Sequence, residues 1–174
     1  MKNERERKPC FPLLFLLLMV IVAGCSMNQG VPQWSGSGFV RKEFLEYRSV
    51  AILPFEGDDS GEVTDAFAMS FHERFPEIAL AHRRRVSEVL RGRDLGPEQL
   101  DEETRLRIGK ALGVQALITG NIYYPSISRW LLQIVILDAQ TGKVMGRSLV
   151  EINFMGDMGK KEGACFAVEK LTVW

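Results

Sequence analysis

Residues 106–122, LRIGKALGVQALITGNI, hold the end of a helix, a glycine stop and the strand that follows it. The helix reads back to Asp101, with Glu102 and Glu103 in its first turn, where carboxylates complement the helix dipole. Thr104, Ile108, Ala111 and Leu112 form its inner stripe, and Gly113 stands where a helix C-terminus favours glycine. Residues 116–123 then read as a buried strand. Downstream, residues 129–137 form a second strand, apolar on both faces except at Gln133. DAQTG, residues 138–142, is a hairpin loop to a partner strand over residues 143–154. A helix over residues 160–172 follows, with Ala164, Val168 and Leu171 inward.

Upstream, Val50-Ala51-Ile52-Leu53-Pro54-Phe55 is a buried strand ended by Pro54. The turn after it holds Asp59 and Glu62 at capping-box spacing. Val63, Phe67, Phe71 and Phe75 recur every four residues and so share one helix face, which Pro76 terminates. Residues 78–82 read as a short strand, followed by Arg83-Arg84-Arg85 and a short helix with Val86, Val89 and Leu90 on one side. Residues 39–47 fit a short helix or an edge strand equally well. The order is β-α-β-α-α-β-β-β-α. That is an α/β fold: a single three-layer domain with a mixed, about five-stranded sheet covered by helices, because strands this apolar need covering. Phe67 and Phe71 are expected on the sheet face that holds residues 51–53 and 132–136.

The N-terminus carries a different signal. Lys2, Arg5, Arg7 and Lys8 precede an apolar run over residues 11–23, and Val22-Ala23-Gly24-Cys25 closes it. A basic start, a short apolar middle and small residues before a cut are the parts of an export signal. The run holds Pro12 and is shorter than the ~20 residues a spanning helix needs. We read residues 1–24 as a lipoprotein signal peptide, with Cys25 as the lipidated residue. Residues 25–38 read as a lipidated flexible tether and residues 39–174 as the folded domain. Ser26, instead of an acidic residue, follows the cysteine; by enterobacterial-type sorting that favours the outer membrane, facing the periplasm. Within the tether, Trp34 is the one large apolar residue, free to dock on the domain or face water.

The sequence has 22 basic and 22 acidic residues, of which the leader takes four and two, leaving 18 and 20. So even a balance gives no long-range pull on nucleic acid. Cys10 leaves with the leader and Cys25 is acylated, so Cys165 has no disulfide partner and reads as a small buried hydrophobe. No metal site is expected. His72-Glu73 opens like a zinc-protease motif, but the second histidine would fall on Pro76. No catalytic constellation and no cofactor-binding loop emerge, and the chain reads as non-enzymatic. Arg83, Arg84 and Arg85 are candidate partner-binding residues, set against a plainer reading as a solvated strand-to-helix turn.

The segments SVAILPFE, ALAHRRRVSEVL, LRIGKALGVQALITGNI and LLQIVILDAQTGKVMG, in this order, resemble the CsgG/LpoB-like superfamily of bacterial lipoproteins. The resemblance spans residues 49–171; Ile108-Gly109-Lys110 through Gly113 to Gly120 is its most specific part. Where the family usually has Val-Glu-Arg, this chain has Ala81-His82-Arg83. The resemblance implies a membrane-anchored binding, scaffold or activator module, with a peptidoglycan synthase or a secretion component as protein partner and oligomers possible. The alternative it carries is a component of a curli-like outer-membrane secretion assembly. Against a pore, residues 124–128 and 155–159 read as tight loops without a bilayer-spanning alternation.

Overall fold

Why the strands alternate as they do becomes plain from their order in space. The computed structural model describes residues 33–92, 101–153 and 159–174, so the leader, Cys25 and most of the 155–159 connection lie outside the described residues. Seven strands form one sheet: β1 (Gln33–Val40), β2 (Ser49–Ile52), β3 (Ala79–Leu80), β4 (Ala116–Ser126), β5 (Arg129–Asp138), β6 (Val144–Asn153) and β7 (Thr172–Val173), in the order β3-β2-β4-β5-β6-β1-β7. β2 runs parallel to β3 and β4, whereas β4, β5, β6 and β1 are successively antiparallel. The helices are α1 (Glu62–Arg74), α2 (Arg83–Arg91), α3 (Glu102–Leu112) and α4 (Lys160–Glu169), with a 3₁₀ turn at Lys42–Glu46. The mixed sheet and the α/β class follow the sequence reading. The count of about five strands does not: β1 and β7 were not legible as strands.

β1 corrects the tether. Residues 33–38 lie in the sheet, paired with β6 from Gln33↔Asn153 to Gly38↔Ser148. Trp34 and Val40 face the core side, and Gly36 and Gly38 between them leave the strand without the bulk that marks one. Ser35 and Ser37 face the other side, so the alternation hides inside a linker-like composition. Trp34 is half-buried, with its ring 6.3 Å from Phe166. Residues 39–47 contain both candidate structures, the end of β1 and then the 3₁₀ turn.

Two cores lie on opposite faces of the sheet. Val63, Phe67 and Phe71 of α1 and Ala164, Ala167 and Val168 of α4 pack on Val50, Ile118, Leu132, Ile134, Val150 and Ile152. On the other face Val86, Leu90, Ile108 and Leu112 of α2 and α3 cover Ala51, Leu53, Leu117 and Ala139. Ala51 and Leu53 therefore lie on the opposite face from Phe67 and Phe71, while Leu132, Ile134 and Ile136 share theirs. The inner stripe of α3 also differs: Ala111 is exposed and Gly109 is buried, where a side-chain carbon would come within 2.7 Å of the Ala139 methyl. Gly120 is a similar close approach, with the Phe55 ring 2.6 Å from where a Cβ would stand.

The helix ends show which local signals hold. Asp101 caps α3, its Oδ1 accepting from the Thr104 amide at 2.7 Å, and Gly113 closes the helix at φ 68°. The α1 capping box is not formed. Gly61 is the N-cap, and Asp58 accepts from the Thr64 amide and hydroxyl, both at 2.7 Å. The helix starts two residues later than an Asp59 cap would need. His82 caps α2, its Nδ1 accepting from the Arg84 amide at 3.2 Å. β4 runs past Tyr123 to Ser126, so 124–126 extend a hairpin and only Ile127 and Ser128 turn it.

The DAQTG loop is fixed by one carboxylate. Asp138 Oδ1 accepts from the Gln140 amide, the Thr141 amide and the Thr141 hydroxyl at 2.9, 2.7 and 2.8 Å. Its Oδ2 accepts from the Tyr47 hydroxyl, tying the 3₁₀ turn to the hairpin. Burial alone would raise the Asp138 pKa, but these hydrogen bonds outweigh it and hold the carboxyl below its ordinary value. The lowered folded pKa means that its stabilisation is full above the unfolded value of about 3.9 and is lost as pH falls through the folded one. Asp138→Asn is expected to lower the urea midpoint at pH 7 by the equivalent of ~1.5–3 kcal/mol. It should also shrink the loss of midpoint between pH 5 and pH 2. An acid limb as steep as that of the parent chain would show that Asp138 does not carry it.

Candidate docking face

The second helical layer stops short. Among the described residues, α2 and α3 cover β2 and the part of β4 and β5 near Leu117 and Ala139 on their face, and the rest of that face, over β4, β5, β6 and β1, is open. Register fixes its rows: Tyr123–Leu131–Glu151–Ser35, then Asn121–Gln133–Leu149–Ser37, then Thr119–Val135–Arg147–Phe39. Helices lie on both faces, and among the described residues the third layer covers only part of the sheet. The physical reason is the composition of these rows, which water can solvate. Gln133, the one polar break seen in β5, marks this face.

Apolar side chains are interspersed among the polar ones. Leu149 sits in the middle row at 46% exposure, with Tyr123 at 45% in the next row. Leu131 and Val135 are half-buried beside them. Arg129 pairs with Glu151 at 3.3 Å across the strands, whereas Arg147 has no ion-pair partner among the described residues. At the far corner the exposed Trp174 ring lies 6.1 Å from Phe39. A surface with a central aliphatic residue, aromatic neighbours and a charged rim has the anatomy of a protein interface.

Where α3 borders this face, a cavity of about 210 Å³ opens, lined by Glu56, Arg105, Thr119, Asn121, Tyr123 and Gln133. Glu56 Oε2 accepts from the Asn121 amide at 2.5 Å, and the Tyr123 hydroxyl donates to Gln133 Oε1 at 3.3 Å. Arg105 Nε is buried without a hydrogen-bond partner among the described residues. A buried guanidinium nitrogen left unpaired is costly, and a carboxylate is the acceptor that fits its fork. This corner can receive an acidic side chain of a docked protein. Nothing in the sequence pattern singled out Arg105, because its role depends on α3 meeting β4 and β5.

The three arginines predicted as partner contacts sit elsewhere, in the first turn of α2. Arg83 forms an ion pair with Asp65 of α1, and Arg84 Nε meets Glu88 Oε1 at 3.0 Å one turn on. Arg85 is exposed. The three do not converge on the open face. Cys165 is half-buried; burial pushes its thiol pKa up despite a hydrogen bond involving Ser70, which keeps it protonated and weakly nucleophilic. Among the described residues no cluster of three His, Cys, Asp or Glu could hold a metal ion.

Comparison with solved structures places this fold. The chain is similar to PelC from Paraburkholderia phytofirmans, solved as a dodecamer (TM-score 0.51, 10% identity, 80% of this chain and 94% of that one). It is equally similar to the C-terminal domain of LpoB from Salmonella enterica (TM-score 0.51, 13% identity, 77% and 93%). Lipoprotein GNA1162 from Neisseria meningitidis also aligns (TM-score 0.50, 13% identity, 63% and 82%). No family model and no curated protein matches the sequence. The fold is LpoB-like, as the resemblance read from residues 49–171 implies.

Proposed function

We propose that this chain is a lipid-anchored envelope protein, held by Cys25 on the periplasmic side of the outer membrane, that works by binding and not by catalysis. The observation that carries this reading is the uncovered face of β4, β5, β6 and β1, with Leu149 at its centre and the Arg105 cavity at its edge. The LpoB-like fold and the lipoprotein named among its structural neighbours support it. The partner is an envelope protein; by the resemblance, a peptidoglycan synthase that the chain activates. Arg85 is the arginine of the 83–85 turn available to a partner, since Arg83 and Arg84 are already engaged.

A second reading has its own support, since PelC with this fold assembles as a dodecamer. In that reading copies of this chain associate side by side as part of a secretion assembly. The two readings separate in one assay, binding of the purified mature chain to the membrane-bound peptidoglycan synthases of its own cell. Leu149→Arg places a charge at the centre of the proposed contact. We expect it to weaken binding at least 30-fold, the effect of losing a central contact of ~2 kcal/mol. Its melting temperature should stay within a degree or two of the parent, because the residue is exposed. Undiminished binding would remove the open face from the account. Parent chain that binds no synthase but sediments as a large oligomer would favour the secretion reading.

A further inference from the structure

One row of the sheet relates the start of the folded domain to an exposed apolar tip. Ser126 pairs with Arg129 across the β4–β5 turn, Arg129 with Asn153, and Asn153 with Gln33. At about 4.8 Å per strand, Gln33 and Arg129 lie roughly 10 Å apart. The chain entering from Cys25 therefore joins the sheet at the end where Ile127 and Tyr124 project. From Cys25 to Gln33 the backbone spans at most about 28 Å even when fully extended. A lipidated Cys25 cannot hold this end of the sheet farther than that from the lipid surface.

The tip suits such a neighbour. Ile127 is 93% exposed and Tyr124 55% exposed, and Lys160 stands 5.3 Å over the Tyr124 ring. Tyrosines with lysine and an apolar residue beyond them are the composition of membrane–water interfaces. At the opposite end of the sheet the β5–β6 turn, with Gln140 and Thr141, is polar, and the exposed Trp174 there stands to one side beyond β1. Beside Tyr124 a groove holds Asp58, Asp59 and Glu62 as well as Lys161, and Lys161 is paired with Glu62 at 3.2 Å. With the charges mixed, the contact rests on apolar insertion.

We infer that the β4–β5 turn, led by Ile127, is a second membrane contact that seats the domain on the lipid surface and sets its orientation. The inference rests on lipidation of Cys25. It turns the strands end-on to the membrane, so the open face stands upright and accessible from the periplasm.

The test uses lipidated mature protein with Cys165→Ser, carrying an environment-sensitive fluorophore on Ile127→Cys or, as the far-end control, on Gln140→Cys. Each is reconstituted in phosphatidylcholine vesicles, with or without phosphatidylglycerol, and quenched by lipids spin-labelled near the headgroup. We expect a blue-shifted emission and at least twofold quenching at 127, a water-like spectrum at 140, and the same result in both lipid mixtures. Water-like emission at both positions in protein that floats with the vesicles would overturn the contact and leave lipidation standing. A signal at 127 that requires phosphatidylglycerol would overturn it too, because the contact is apolar. Protein that fails to float would overturn both readings.

Discussion

Phe67→Ala is expected to remove about 3–5 kcal/mol of stability, a large part of the ~5–15 kcal/mol available to a domain of this size. Phe67 is completely buried, with Phe55 edge-on at 5.4 Å and Phe71 stacked at 6.0 Å. Its ring fills the space between α1 and the β2–β4–β5 surface, and alanine would leave a cavity that Phe55 and Phe71 cannot both close. Urea unfolding of the mature chain measures the loss directly. Glu73→Ala on the solvent side of the same helix should move the midpoint by less than the equivalent of ~0.5 kcal/mol. Equal effects at the two positions would mean that α1 turns another face to the sheet.

Cys25→Ala should have the largest effect in the cell, complete loss of the anchor. Each buried methylene contributes ~0.8 kcal/mol, and durable anchoring takes more than one acyl chain. A thiol is the group to which the first chains attach, and alanine offers none. Cells fed an alkyne-tagged fatty acid should label the parent chain and not the variant, which should also keep its leader. Label on the variant would show that another residue carries the lipid, and the orientation inferred for the Ile127 tip would lose its basis.

What the sequence revealed depended on whether a signal was local. The four-residue recurrence of Val63, Phe67 and Phe71 is enforced by a single helix face, and it placed α1 correctly. Asp101 and Gly113 bound α3 through bonds made within the helix itself, so they too were legible. β1 was not, since two of its core-side positions are glycines that β6 and the segment after α4 approach closely. The α1 cap was misassigned by two positions, because Asp59 and Glu62 have the capping-box spacing but the loop carries the chain on to Gly61 before the helix starts. The docking face was visible only as Gln133, a single polar break in an apolar strand. Leu131 and Val135 flank it on β5, and the remaining members come from β4, β6 and β1, which only the register brings together. Arg105 was hidden for the same reason, on a helix whose other inward residues are apolar. The arginines that stood out, Arg83 and Arg84, are engaged with carboxylates on α1 and α2.

The open face can be examined in the cell by photo-cross-linking, with p-benzoyl-phenylalanine placed singly at Leu149, Val135, Met69 and Gln140. Met69 is exposed on α1, which covers the opposite face, and Gln140 lies at the far hairpin. The account predicts one discrete adduct, shared by positions 149 and 135 and absent from 69 and 140. It should contain a peptidoglycan synthase and disappear when Arg105 is replaced by glutamate. Adducts from Met69 alone, with none from 149 or 135, would contradict it and place the partner on the helical side.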